Sequence, residues 1–477
     1  MKQLRKAVEL LEPRRIDQPA RVTTIEHLLL WIDDRLGTAH FVHRAIRKAF
    51  PDHWSFMLGE INMYAFIVLL ATGTFLAFFF DPNQSTTVYD GPYKLLDGVS
   101  MSHAYRSALA ISFEVNLGML VRQIHHWTAL LFVAGIALHM GRIFITGAFR
   151  RPREINWVIG YLLFWLAMFE GFTGYSLPDD LLSGIGLRIA VSVLQSVPIV
   201  GTWLTFMLVG GVYPTKQLLG RLFVLHIYLV PLTLAGLIAL HLAVLWRQHH
   251  SQFPGTGRTE HNVVGSPLIP RYAAKSMALL AAVVTVVCLL GALVQINPIW
   301  LWGPYEAWNA ISPAQPDWYI GWLEGALRTG PPLAAHIFGY TIPSVFWPAV
   351  LLPGVIFVIF LCWPWIEKAL THDRRAHQLL DNPRDAPWRT GVAVAMATFA
   401  FALTAAGSDD VQARYLHVNI TTIVTFYRVF CVLGPILAFF VARSIASELA
   451  ERHGVQKAPR VRLRRNAEGG FDEEPIS

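Results

Sequence analysis

The chain has 477 residues, 54% of them hydrophobic and only 15% charged. Apolar runs of about twenty residues recur along it, which excludes an ordinary soluble domain and indicates a polytopic membrane protein. The net charge of +7 does not imply nucleic acid, because its Lys and Arg residues gather in alternate loops, the pattern that orients a membrane protein.

The first 55 residues are polar and basic. The opening MKQLRKAVELLEPRR has no apolar core behind its basic residues, so no cleavable signal peptide is expected. From Thr24 to Phe50 apolar residues recur at helical spacing with Arg and Lys opposite, as on a helix lying at a membrane surface. Eight spans are then predicted, at about 58–80, 118–146, 156–176, 221–246, 273–296, 343–363, 389–407 and 422–446. The expected fold is all-α. The first four spans form a helical bundle over residues 56–250, the last four a second membrane region over 251–450, and a charged, disordered tail follows from Glu451.

Arg142, Arg150, Arg151 and Arg153 follow span two. Arg247, Arg258, Arg271 and Lys275 surround the loop after span four, and Lys368, Arg374, Arg375, Arg384 and Arg389 follow span six. The intervening loops are poor in both, so both termini are expected in the cytoplasm. The outward loops are then 179–220, with short helices lying across the surface, and 297–342, rich in Trp and Pro.

Histidine is costly inside a membrane helix and marks function there. Span two carries His125 and His139, and span four carries His226 and His241. Fourteen residues of helix, as between His125 and His139, rise about 21 Å through nearly four whole turns, and the fifteen between His226 and His241 do nearly the same, so each pair presents two imidazoles from one face at two depths. Two such helices face to face suit two stacked haem b groups with bis-histidine ligation, His125 with His226 and His139 with His241. A single histidine on an apolar face is more often a packed core residue; two pairs at matched spacing are not. His126 has no partner at that spacing and reads as a neighbour. Gly59 and Gly73 in span one, and Gly160 and Gly174 in span three, repeat the fourteen-residue interval. A glycine lets another group approach the backbone, so these pairs read as clearance for a ring at two depths. Cys288, Cys362 and Cys431 lie in apolar runs without CxxCH or CxxC, which excludes covalently attached haem and gives no cluster or zinc signature.

With the glycine pairs, RxxH at Arg122–His125, GYSLP at 174–178, the second histidine pair and PDWY at 316–319 in place, the chain resembles cytochrome b, the quinol-oxidising membrane subunit of cytochrome bc-type complexes. The last two spans and the segment THDRRAHQLLDNPRDAPWRTG resemble its long actinobacterial form. The resemblance implies a plasma-membrane subunit that oxidises quinol, expected to be menaquinol, at an outer site. One electron would go to a Rieske iron–sulfur protein and the other through a low-potential outer haem and a high-potential inner haem to an inner quinone. Implied partners are the Rieske protein, a c-type cytochrome subunit, a terminal oxidase in a supercomplex, membrane lipid and a second copy of the complex.

The family motif at the outer site is PEWY, whose acid is implicated in taking the quinol proton; here the acid is Asp317, one methylene shorter. A carboxylate there has the chemistry a quinol oxidation needs, although Asp also caps helices. Tyr319 and Glu324 join it as catalytic candidates, and Pro316, Trp318, Tyr175 and Gly186 as quinol contacts. Arg122 is grouped with the haem residues. Asp410 and His417 lie in the outward loop before span eight, where a solvated role is the plainer reading. Arg247, His249, His250 and Ser251 are the inner-site candidates. Two other classes remain open from the residues alone: a di-haem reductase or dehydrogenase anchor, and a transporter using its histidines as a proton relay.

Overall fold

The computed structural model describes residues 24–309, 315–452, 461–465 and 471–475. The first 23 residues and part of the Trp- and Pro-rich loop lie outside them. Among the described residues, seven helices are long and apolar enough to cross a membrane: Trp54–Ala77, Gly118–Ile145, Glu154–Tyr175, Leu218–Gln248, Leu268–Leu293, Pro387–Ala406 and Ile420–Arg452. The sixth predicted span, 343–363, ends at a break and a second helix continues beyond it. Trp347–Leu361 and Trp363–Thr371 meet at 60° across Cys362. Pro364 follows the break, and proline inside a helix both removes a hydrogen-bond donor and clashes with the preceding turn. Counting that pair as one gives the eight expected spans of a multi-pass membrane protein.

Span one packs along span two, span three along span four, and span five against span two. Between them lies one buried apolar cluster, with Ala65 and Phe66 from span one and Phe132, Val133 and Ile136 from span two. Leu163, Ala167 and Met168 of span three, Val230 and Leu234 of span four, and Tyr319 from the loop after span five complete it. This core occupies the interval between the two histidine levels, so the four imidazoles stand at its two ends. Spans seven and eight pack on each other and on the helix Trp318–Thr329, which holds that loop helix against the bundle.

The amphipathic N-terminal stretch forms two helices, Thr24–Leu36 and Thr38–Ile46. Gly37 separates them in the left-handed conformation, φ 61°, which glycine adopts without strain. Ile25, Leu28, Leu29, Leu30 and Trp31 of the first are exposed. In the loop after span three, where short helices are expected, Leu181–Gln195 and Gly201–Val209 are helical.

Several of the arginines that signal orientation are structural ties. Arg389 is buried, donating to Glu367 and, at 2.8 Å, to Asp381. Arg153 donates to the carbonyls of His377 (2.7 Å) and His249 (3.1 Å). Most of the tail expected to be disordered lies outside the described residues; within it, Val461–Arg465 and Phe471–Pro475 pair as antiparallel strands.

Candidate functional site

His125 and His226 meet across the bundle with ring centroids 6.3 Å apart. An imidazole nitrogen ligates a metal ion at about 2.0–2.1 Å, and its ring centre lies roughly 1 Å further on. Two axial rings on one ion therefore stand about 6 Å apart, the separation these two have. At the other end of the core His139 lies within electrostatic reach of His241. Among the described residues no group of three or more His, Cys, Asp or Glu converges on one point. Two imidazoles per level suit a metal whose remaining ligands come from a macrocycle.

The unequal spacing of the two histidine pairs has a local cause. His226 sits in a π-helical turn, Leu225–Leu229. Such a turn inserts one extra residue into a helix and is frequent at functional sites. Span four thus absorbs its fifteenth residue and keeps both its histidines facing span two.

The ring nitrogens turned away from the bundle axis are held at the His125 level. Thr72 Oγ1 lies 2.9 Å from His125 Nδ1. His226 Nδ1 has three oxygens near it: the Glu170 carbonyl at 3.1 Å, Thr173 Oγ1 at 3.2 Å and a Glu170 carboxylate oxygen at 3.2 Å. Occupying Nδ1 fixes the ring and leaves Nε2 for a metal. At the other level, Nδ1 of His139 and of His241 meets no side-chain partner.

Each of the four glycines faces one histidine. A methyl group built on Gly59 would stand 3.3 Å from His139, on Gly73 3.2 Å from His125, on Gly160 3.4 Å from His241, and on Gly174 2.4 Å from His226. The clearance is given first to the imidazoles, and it is tightest at Gly174, whose histidine is also the most constrained. Gly174→Ala is therefore expected to displace His226 and to lower haem content, while Gly160→Ala is tolerated. Overpacking of this kind commonly costs about 1–3 kcal/mol. Haem per chain in the two purified variants checks this, and full occupancy with Gly174→Ala would make that glycine an ordinary packing residue.

Beside the His125 level a cleft opens between the end of span three, the helix Leu181–Gln195 and the helix Trp318–Thr329. Tyr175, Gly186, Pro316, Asp317, Tyr319 and Glu324 line it with Phe172, Ile189, Ile320 and Leu323. Trp318 is not on its lining and is 45% exposed. The cleft is mainly apolar, with few polar atoms directed into it, as small-molecule sites are. Two of those, Tyr175 Oη and Glu324 Oε2, are buried without a hydrogen-bond partner. Buried polar atoms are nearly always paired, so these two are available to a ligand hydroxyl or carbonyl.

Asp317 precedes its helix but makes no side-chain cap bond. Its carboxylate instead receives His126 Nε2 at 3.0 and 3.1 Å, with Tyr319 Oη 3.5 Å away. His126 is thus more than the neighbour it seemed in the sequence: its partner lies 191 positions away, beyond any periodicity argument. Burial and the adjacent Asp317 hold the Tyr319 phenol well above its usual range, so it remains protonated. Gly171 makes room for it, since a methyl there would stand 2.5 Å from the Tyr319 oxygen. Glu324 pairs with Arg328 at 2.6 Å, and Arg328 also pairs with Asp409 and, at 3.2 Å, with Asp410. Asp410 accepts from Gln315 at 3.1 Å, so it is bound into this network rather than loose in a solvated loop.

Other candidates fall elsewhere. Arg122 donates to the Asn297 carbonyl at 3.2 Å and lies over Trp300, tying span two to the loop after span five. Arg247 and His249 line a half-open cavity of about 1140 Å³ at the opposite end of the bundle, with Lys48, His261 and His377. Ser251 is buried and off that lining, and burial pushes His250 down to about 4. Sequence reasoning passed over Glu60, next to the glycine that faces His139. It accepts from Tyr272 and from Ser276 at 2.5 Å, and a carboxyl inside a span is a functional signal by itself.

A family model described as "Cytochrome b(N-terminal)/b6/petB" matches residues 130–304. The fold is similar to a solved "Hyperthermophilic respiratory Complex III" chain, with a TM-score of 0.66 at 22% identity over 88% of this chain and 99% of that one. The "Cytochrome bc1 complex cytochrome b subunit" of Mycobacterium tuberculosis (strain ATCC 25618 / H37Rv) is 50% identical over 411 residues, 86% of this chain and 75% of the relative. Its counterpart in Corynebacterium diphtheriae is 45% identical over 439 residues, 92% of this chain and 80% of the relative. That in Streptomyces coelicolor is 45% identical over 428 residues, 90% and 78%. Similarity of this degree over most of both chains, on this fold and with these paired histidines, makes the chain a member of the cytochrome b subunits of the cytochrome bc1 complex.

Proposed function

We propose that the chain holds two b haems, one between His125 and His226 and one between His139 and His241, and oxidises quinol in the cleft beside Asp317. The observation that carries this reading is the adjacency of the two sites. On span two His125 faces the bundle and His126 reaches Asp317; on span three Gly174 faces His226 and Tyr175 lines the cleft. Haem supplies a one-electron carrier at each level. The chain's own residues bind the quinol ring and take its protons.

The balance is that of a divided two-electron oxidation. Quinol yields quinone, two protons and two electrons, one leaving to a Rieske iron–sulfur protein and one passing from the outer level to the inner. Two outer turnovers deliver two electrons inward, where quinone takes them with two protons from the cytoplasm and becomes quinol. Asp317 is the first proton acceptor. Glu324 is a second station, its carboxyl raised by burial and lowered in part by Arg328. The Glu170 carboxylate, 3.2 Å from His226 Nδ1, would raise the basicity of that imidazole toward a haem held there. The cavity at Arg247 and His249 and the half-buried Glu60 group flank the inner quinone site. The protein acts in the bacterial plasma membrane, both termini cytoplasmic, with a Rieske protein and a c-type cytochrome subunit, in a dimeric complex that associates with a terminal oxidase.

Adding a short-chain menaquinol to the purified complex should reduce its b haems, with release of protons on the Asp317 side when the complex is in vesicles. Absorbance in the b-haem band and a pH indicator on each side read this out. Haems that stay oxidised with every quinol tried, or protons appearing on the Arg247 side, would overturn the reading.

A further inference from the structure

We infer that His126 is the positioning residue for the outer-site acid: its ring, on the turn that carries the haem ligand His125, holds the Asp317 carboxylate at the cleft. The inference rests on the quinol-oxidising role proposed for Asp317.

A carboxylate only accepts hydrogen bonds, so the imidazole nitrogen facing it carries the hydrogen. His126 Nε2–H therefore donates to Asp317, 3.0 Å from one oxygen and 3.1 Å from the other. Both side chains are about 15% exposed (His126 15%, Asp317 16%), so little water competes for the bond. One N–H shared by two oxygens leaves further lone pairs on each, and Asp317 lines the cleft. The carboxylate is thus fixed and still open to a quinol hydroxyl.

Among the described residues, nothing else in the local backbone fixes it. Asp317 makes no cap bond to its own helix, and Tyr319 Oη stands off at 3.5 Å. The stretch before it, 310–314, lies outside the described residues. A side chain with one short link has its direction set by that link. The link runs to span two, beside the residue that faces His226. One helical turn then sets both where an electron is accepted and where the proton goes. A misplacement of about 1 Å at a reacting group costs on the order of 10²-fold in rate, so a residue of this kind has a large effect without touching the quinol.

The test uses the intact complex and five proteins: wild type, His126→Phe, His126→Gln, Asp317→Asn and the double variant His126→Phe/Asp317→Asn. His126→Phe keeps a planar ring and removes the donor. It should lower kcat for quinol at least tenfold with KM changed less, while haem content and the haem potentials stay at wild-type values. His126→Gln offers an amide N–H to the same carboxylate and should recover most of the loss. In the double variant the Phe substitution should add nothing to the loss caused by Asp317→Asn, because it acts through that carboxylate. If the Phe variant loses haem, His126→Ala takes its place in the same comparison. Wild-type kcat in the Phe or Ala variant, no recovery with Gln, or a full further loss in the Asp317→Asn background would each overturn the inference. Normal turnover in Asp317→Asn alone would overturn both the inference and the role of Asp317; a large loss there beside normal turnover in the Phe variant overturns the inference only.

Discussion

Asp317→Asn is expected to lower quinol turnover by about 10²–10⁴-fold, the usual contribution of a general acid–base group. The substitution keeps the shape of the side chain and, with its amide oxygen toward His126, much of the contact at 3.0–3.1 Å. It removes the ability to take a proton. Because Asp317 makes no cap bond, the start of the helix Trp318–Thr329 does not depend on it, and the protein should assemble with its haems in place. The loss will fall toward the lower end of that range if Glu324 substitutes. That carboxyl lines the same cleft, with one oxygen unpartnered and the other bound to Arg328 at 2.6 Å. Asp317→Glu should retain more activity than Asn, since it keeps the acid, although the added methylene presses it toward His126. Turnover normalised to haem, in wild type and both variants, decides this. Unchanged turnover in the Asn variant would remove Asp317 from the chemistry.

What the sequence made legible follows from where its signals are local. Buried polar residues in long apolar runs are rare, so the four histidines stood out from their spacing alone, and the glycines were found by the same interval. Each glycine does face a histidine, at 2.4–3.4 Å from where a methyl would be. The fifteen-residue interval in span four was visible, but its accommodation by a π turn at Leu225–Leu229 was not, because hydropathy does not distinguish a π turn from an α turn. His126 was set aside because its partner comes from a loop far along the chain, and no periodicity links the two. Glu170 and Glu60 were passed over for a similar reason. A lone acid in a span signals function, but only the packed helices show that one lies 3.2 Å from His226 and the other against Tyr272 and Ser276. Span six reads in the sequence as ending at 363, and the helix Trp363–Thr371 that bends away beyond Cys362, with Glu367 and Lys368 in it, reads as loop. Ser251 and Trp318 stand out only by position in a loop or motif, and neither lines the cavity beside it.

The second large effect concerns the histidines themselves. His139→Leu should remove the haem at its own level and leave the one between His125 and His226. Leucine supplies no ligand, and among the described residues no cluster at that level offers a substitute. The two levels are about 21 Å apart, with the apolar core of Val133, Leu163 and Leu234 between them, so loss at one need not unfold the other. His125→Leu should do the converse. It should also stop quinol oxidation more completely than His139→Leu, since the cleft adjoins its level. The decisive measurement is the b-haem content per chain, by pyridine haemochrome, with a potentiometric titration of the same samples. Two haems titrating as two components in wild type, and one haem in each variant with a different component missing, is the predicted result. A single haem in wild type, or two haems retained in either variant, would contradict the ligand pairs on which the whole account rests.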